Sequence, residues 1–303
     1  MELVLALQSP EIEIVGITIT SGSINISQRT KNALRVVELS GKNIPVYQGA
    51  GKPLYVSTLN EGPDMIHGDD GLGNTAQPEP KIKAQQKFAA QYLVDATKAN
   101  PGQISVLALG RLTNLADAIR LDSNVTKNVK EVVVVVGALG VPGLATPVAE
   151  PNAWMDPHAA DITFTAPWKV IMLGLDVTLK VTLNDALLLR IKNENLKYGP
   201  FIYAITRVYR EFYKNVLHSE GIVDIGAAAI LYMIDPTIFK FKEGPVRVVT
   251  EGIAIGQTIM PALEFQAQSE PWRGKPLVSA AFEVDAERYL KYYTEIMTGK
   301  RSK

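Results

Sequence analysis

Two kinds of apolar pattern alternate along this chain. Short β-branched runs predict strands at Glu11–Thr20 (EIEIVGITIT), Ile44–Tyr47, Ile104–Leu109, Val132–Val136, Val170–Leu175, Pro245–Thr250 and Leu277–Val284. Longer segments with apolar positions on one helical face predict helices over Glu2–Gln8, Ser27–Leu39, Ala84–Ala99, Asn114–Leu121 and Ala159–Phe164, and again over Ala204–Val216, Ala227–Ile234 and Ala286–Met297. Strand–helix alternation over most of the length predicts an α/β fold: a doubly wound, mostly parallel sheet with helices on both faces. No repeat, linker or composition shift divides the chain, so one domain is expected over residues 1–303. Residues 56–81 form a polar, glycine-containing loop long enough to suggest a function.

Composition narrows the chemistry. With 303 residues, 47% hydrophobic and 20% charged, the chain can bury a sizeable core. Lys+Arg and Asp+Glu are both 31, and no basic stripe of the kind that tracks nucleic acid stands out. The absence of cysteine rules out disulfides, thiolate metal sites and a Cys nucleophile, and only His67, His158 and His218 offer imidazoles. No apolar run reaches the roughly 18 residues of a membrane span, and Met1–Leu7 is too short and carries Glu2, so no secretory signal is read. The expectation is a soluble cytoplasmic protein with no membrane or nucleic-acid partner.

The polar groups collect in the loops after strands, where open parallel sheets bind ligands. After the five valines of Val132–Val136 comes TPVAEPNAWMDP, which sets Glu150, Asn152 and Asp156 close together as groups able to bind a polyol or a metal. Asp156 before Pro157 also reads as a helix N-cap. Asp224, before Ile225-Gly226-Ala227, likewise reads as a cap when taken alone, and Asp176 as a carboxylate that holds its own loop. Gly22 and Ser23 follow the first strand, and Gly110-Arg111-Leu112-Thr113-Asn114 follows the 104–109 strand. The segment His67-Gly68-Asp69-Asp70-Gly71-Leu72-Gly73 fits neither a calcium EF-hand nor a dinucleotide fingerprint. Trp168 reads as core, whereas Trp154 and Trp272 read as loop residues for which stacking on a base stays open.

Taken together, the runs SPEIEIVGIT, RTKNALRVVEL, IPVYQGAGKPL, HGDDGLG, LGRLTNLADA, TPVAEPNAWMDPHAA, MLGLDVT and VDIGAAAILYMIDP resemble the inosine/uridine-type nucleoside hydrolases, over nearly the whole chain and in the family's order. The resemblance implies a doubly wound α/β domain that hydrolyses the N-glycosidic bond of ribonucleosides, in purine and pyrimidine salvage, with one bound Ca²⁺ and as a homodimer or homotetramer. It implies that Asp224 and the backbone carbonyl of Leu109 are metal ligands, and that Glu150 and Asn152 hydrogen-bond the ribose hydroxyls. It further implies that Ser23 stands where a substrate-contacting Asn is usual, with Asn25 close by, and that His67 lies near the leaving base. The chain departs from the family's pattern in several places. The family's N-terminal Asp-x-Asp-Pro-Gly-x-Asp-Asp motif, with its general base, is expected upstream of Met1, so the N-terminal strand is expected to be missing and Met1 to lie near Asp224. Val223 replaces a His that acts on the leaving base, and Leu144 replaces a sugar-contacting Asn.

Two other functions compete with this one. A catalytically inactive homologue that binds nucleoside or ribose is consistent with a chain in which no general base is evident. A sugar- or nucleoside-phosphate enzyme is disfavoured because no Gly-rich phosphate loop opens a helix and no Lys/Arg cluster is read at the strand ends.

Overall fold

The structure, a computed structural model, describes residues 1–55 and 64–301; residues 56–63 of the expected long loop lie outside the described residues. The first half of the chain contains α1 (Glu2–Gln8), β1 (Ile17–Ile19), α2 (Ile26–Ser40), β2 (Val46–Gln48), α3 (Ala89–Ala99), β3 (Ser105–Ala108), α4 (Thr113–Leu121), α5 (Val125–Asn128) and β4 (Glu131–Val134). Next come α6 (Pro151–Met155), α7 (Pro157–Thr165), β5 (Val170–Met172), α8 (Leu175–Thr178), β6 (Leu183–Asn184), α9 (Asp185–Glu194), α10 (Gly199–Ile205) and α11 (Arg207–Asn215). The chain ends with β7 (Gly221–Ile222), α12 (Ala227–Ile234), β8 (Phe239–Gly244), β9 (Arg247–Val248), β10 (Thr258–Ile259), β11 (Val278–Val284) and α13 (Ala286–Met297). This is the expected α/β architecture.

The main sheet runs β3-β4-β5-β11-β8, parallel except for β8 at one edge. β4 is its most buried strand, and after Glu131 its valine run has no polar position. Val133 and Val135 enter the apolar cluster on one face, while Val132, Val134 and Val136 enter the cluster on the other. A strand covered on both faces reads as a continuous hydrophobic run. β8 has no β-branched run to announce it, and the lysines of FKFKEG are how an edge strand discourages further pairing.

β1 pairs in parallel with β2, and among the described residues this pair has no backbone ladder to the main sheet. Asn114, at the start of α4, links the two: its Nδ2 donates to Ile19 O at 3.0 Å and its Oδ1 accepts from Ala50 N at 2.9 Å. The expected strand Glu11–Thr20 is correspondingly short. Ile12 and Ile14 do pack on the core, but only Ile17–Ile19 meets a neighbouring backbone. Helix α3 starts later than Ala84 because Gln85 bridges to Tyr47 beside β2, accepting an extended conformation in place of a helical turn. The helix expected over Ala204–Val216 is two helices. Thr206, whose hydroxyl donates to Ile202 O at 2.9 Å, leaves the helical region between them. Helices α12 and α13 have the expected bounds.

Candidate active site at the strand ends

The loop after β4 and the helices that follow it are held by three buried carboxylates. Glu150, 2% exposed, caps α6: Oε1 accepts from Asn152 N at 2.9 Å and Oε2 from Ala153 N at 2.9 Å. Its Oε2 also accepts from Gly137 N at 3.0 Å, tying α6 to the end of β4. Gly137 has φ +90°, and a Cβ there would lie 2.5 Å from Met172 Cε, so both the backbone and the space call for glycine. Burial lifts the Glu150 carboxyl to about 7, and the three N–H bonds hold it from rising further. Asn152 donates from Nδ2 to Val135 O at 2.9 Å. The two side chains expected to meet ribose are thus adjacent to each other and to the end of β4, and each also holds backbone in place.

Asp156 is fully buried and caps α7 through Ala159 N at 3.1 Å. Its Oδ2 accepts from Thr113 Oγ1 at 2.7 Å and from Leu54 N at 3.0 Å. The capping interpretation is therefore the one the structure supports. Asp176 binds Leu139 N at 2.9 Å and Gly140 N at 2.6 Å. It clamps the loop after β4, where the sequence pointed to its own loop.

Asp224 differs from these three. The N-cap of α12 is Gly226, and no side chain caps that helix, so the capping interpretation of Asp224 does not hold. Its Oδ2 accepts from Tyr293 Oη at 2.9 Å, and its Oδ1 is buried with no hydrogen-bond partner. Burial, and then the charge of Glu2, push its carboxyl well above the usual carboxylate range; the Met1 ammonium and the Tyr293 hydroxyl act the other way. Met1 lies beside Asp224 as expected, its ammonium 3.2 Å from Glu2 Oε2. Helix α12, which follows Asp224, packs against β3, and Leu109 follows that strand directly. Among the described residues no group of three or more His, Asp or Glu is placed to hold a metal ion. Asp224 would offer a hard cation one anionic oxygen and Leu109 one carbonyl, and water and sugar hydroxyls would have to complete the six to eight oxygens calcium takes.

The HGDDGLG segment is folded by Asp70 within it and Asp64 just before it. Asp64 Oδ1 accepts from Ile66 N and His67 N, and Asp70 Oδ1 accepts from Leu72 N and Asn74 N. His67 stacks on Tyr209 of α11 with ring centroids 5.3 Å apart, and desolvation lowers its pKa against the pull of Asp64 and Glu2. Tyr209 in turn donates to Val223 O at 2.9 Å, joining the His67 loop to the approach of Asp224. Ser23 is exposed and donates to Asp64 Oδ2, while Asn25 caps α2 through Gln28 N at 2.9 Å. Leu144 is 40% exposed. Trp168 is core, donating to Thr163 O at 2.8 Å, whereas Trp272 is half-buried in its loop.

Tyr293, Glu2 and Tyr209 escaped sequence reasoning. The available signal for Tyr293 was its place on the buried face of α13, with Tyr289, Ile296 and Met297. The expectation that no basic cluster marks the strand ends is overturned: Arg29 and Arg111 come together where β1 and β3 end. One residue type from α2 and one from a loop reveal no cluster in sequence.

A profile of the inosine-uridine preferring nucleoside hydrolases matches residues 1–291. A relative described as uridine nucleosidase 1 from Arabidopsis thaliana is 35% identical over 297 residues, covering 96% of this chain and 87% of the relative. Among solved structures, a plant nucleoside hydrolase superposes with a TM-score of 0.94 at 32% identity, covering 98% of this chain and 94% of that one. A purine-preferring ribonucleoside hydrolase from Gardnerella vaginalis gives 0.90 at 29%, covering 99% and 94%.

Proposed function

The chain belongs to the inosine-uridine preferring nucleoside hydrolase family and is a ribonucleoside hydrolase; from that premise we propose that ribose is held between the Glu150–Asn152 loop and Asp224, with calcium as the ion that Asp224 meets. The observation that carries this is the asymmetry of Asp224. One oxygen is fixed by Tyr293, and the other is buried without a partner. A buried polar atom left unpaired costs about 1–3 kcal/mol, more when charged, so such a carboxylate points to a ligand. A bound divalent ion would supply charge that favours an ionised Asp224 and a more acidic water.

The chain's own groups have separable tasks in this reading. Asn152, steadied on Val135 O, and Glu150, locked by three N–H groups, orient the sugar. Leu109 offers its carbonyl to the ion, and Ser23 stands at the sugar's edge. His67, stacked on Tyr209, faces the departing base, a place where Val223 offers only a backbone carbonyl. The relatives named above include one described by uridine and one by purines. We also read the chain as one domain that works in the cytoplasm as a homodimer or homotetramer; no helix among the described residues is long and apolar enough to cross a membrane.

A reducing-sugar assay over paired ribo- and deoxyribonucleosides tests the sugar site. A site built around a hydroxyl rejects the analogue lacking it by about 10⁴–10⁵ in kcat/KM. Comparable rates on inosine and deoxyinosine would remove the 2′-hydroxyl from the recognition scheme.

A further inference from the structure

Two successive tyrosines of α13 each donate to an aspartate, and the two pairs differ in what else surrounds the acid. Tyr292 Oη donates to Asp235 Oδ2 and Tyr293 Oη to Asp224 Oδ2, both at 2.9 Å. Asp235 is held from several sides. Arg288 pairs with its Oδ2, and its Oδ1 accepts from Thr237 N at 3.0 Å and from Thr237 Oγ1 at 2.6 Å. Without Tyr292 that carboxylate would stay where it is. Asp224 has no such company. Among the described residues Tyr293 is the one hydrogen-bond partner of its carboxylate, and Oδ1 is buried without any.

Tyr293 is itself firmly held. It is fully buried on the face of α13 that carries Tyr289, Ile296 and Met297, and α13 packs on α12, the helix that follows Asp224. A phenol at that depth has no water to turn to, so its hydroxyl points where the protein supplies an acceptor. Packing does not explain the pair. Phenylalanine would fill the same space, and a buried carboxylate satisfied on one oxygen only is less stable than an apolar group of its volume. What the pair does supply is orientation. With Oδ2 fixed, the carboxylate is kept from turning about its Cβ–Cγ bond, and Oδ1 keeps one direction.

We propose that Tyr293 is a positioning residue of the metal site and acts through Asp224: its phenol occupies Oδ2 and so presents Oδ1 to the cation. It rests on the reading of Asp224 as a metal ligand, and it adds a residue that touches neither ion nor sugar. Orienting the ligand in advance favours binding, because the carboxylate has no rotational freedom left to lose. Partners that orient a metal ligand in this way are typically worth about 10–100-fold in metal affinity or activity.

Calorimetric titration of calcium into the full chain tests this with the wild type, Tyr293→Phe, Tyr292→Phe and Asp224→Asn, and ribose release and melting temperature are followed on the same samples. Phenylalanine keeps the ring, so the core around α13 is retained. Tyr293→Phe is expected to weaken calcium binding by about tenfold or more. At calcium concentrations below the wild-type Kd its kcat/KM should fall by the same factor, and saturating calcium should restore it. Tyr292→Phe loses a bond of the same kind and length from the neighbouring position, and should bind calcium as the wild type does. A lower melting temperature for Tyr293→Phe with unchanged calcium affinity would make the residue merely structural and overturn the proposal. Equal weakening in both Phe variants would overturn it too, since that traces the effect to α13 as a whole. Asp224→Asn tells the two readings apart. If it weakens calcium binding and Tyr293→Phe does not, Tyr293 alone is misassigned. If neither variant changes calcium binding, or the wild type binds none, Asp224 is not the ligand and the role of Tyr293 falls with it.

Discussion

Four buried carboxylates near the strand ends divide into two groups by what their oxygens do. Glu150, Asp156 and Asp176 spend theirs on backbone N–H groups and one hydroxyl, and so fix the loops around β4. Asp224 has one hydroxyl partner and one buried oxygen with none. Burial alone does not distinguish a functional acid from a structural one here, since all four are nearly inaccessible. Satisfaction does: a carboxylate that has paired its lone pairs contributes to stability, and one left short is available to a ligand.

Substitutions should separate these groups by the property they change. The largest effect is expected at Asp224. Asp224→Asn should lower kcat/KM by about 10²-fold or more and weaken calcium binding, with little change in melting temperature, since the side chain has one bond to lose. Unchanged calcium affinity and turnover, read by calorimetry and a ribose-release assay, would place Asp224 with the structural acids. Asp156→Ala should do the reverse. It removes a cap and strands Thr113 Oγ1 and Leu54 N, for a loss of about 3–5 kcal/mol in chemical denaturation. Enzyme that remains folded should bind calcium normally.

Glu150 offers a pH test. Its carboxyl is raised from 4.5 to about 7 by burial, so its contribution to stability is full below 4.5 and is lost as the pH rises through about 7. The difference amounts to about 3 kcal/mol. Glu150→Gln should lower stability at acid pH through its mismatched amide, but flatten the decline of melting temperature between those pH values. An equally steep decline in the variant would assign it to other groups. The smallest effect is expected at Asn152. Asn152→Ala removes one hydrogen bond, about 1 kcal/mol of stability, and should reduce kcat/KM by about tenfold without altering calcium affinity. A parallel loss of metal binding would move Asn152 from the sugar to the ion.

Much of the candidate site was legible because its pieces are local. The valine run followed by TPVAEPNAWMDP announced both a buried strand and the loop that carries Glu150 and Asn152, and Pro157 after Asp156 announced a cap. Errors arose where a residue's partner is distant in sequence. Asp176 looked like the holder of its own loop, yet its partners are Leu139 and Gly140. Asp224 looked like a cap three residues before a helix, yet Tyr293, 69 residues away, engages it.

The amino-acid sequence by itself determined the alternation of strands and helices, the bounds of α12 and α13, and the β4 core strand, because periodicity and turn chemistry act over a few neighbouring residues. Only the tertiary structure decided the charge state and availability of individual groups. The lone pairs left on Asp224, the proximity of Arg29 to Arg111 and the pairing of only three residues in β1 all depend on what the rest of the chain brings alongside. Desolvation and hydrogen-bond satisfaction are properties of that three-dimensional neighbourhood, so they cannot be read from any one segment.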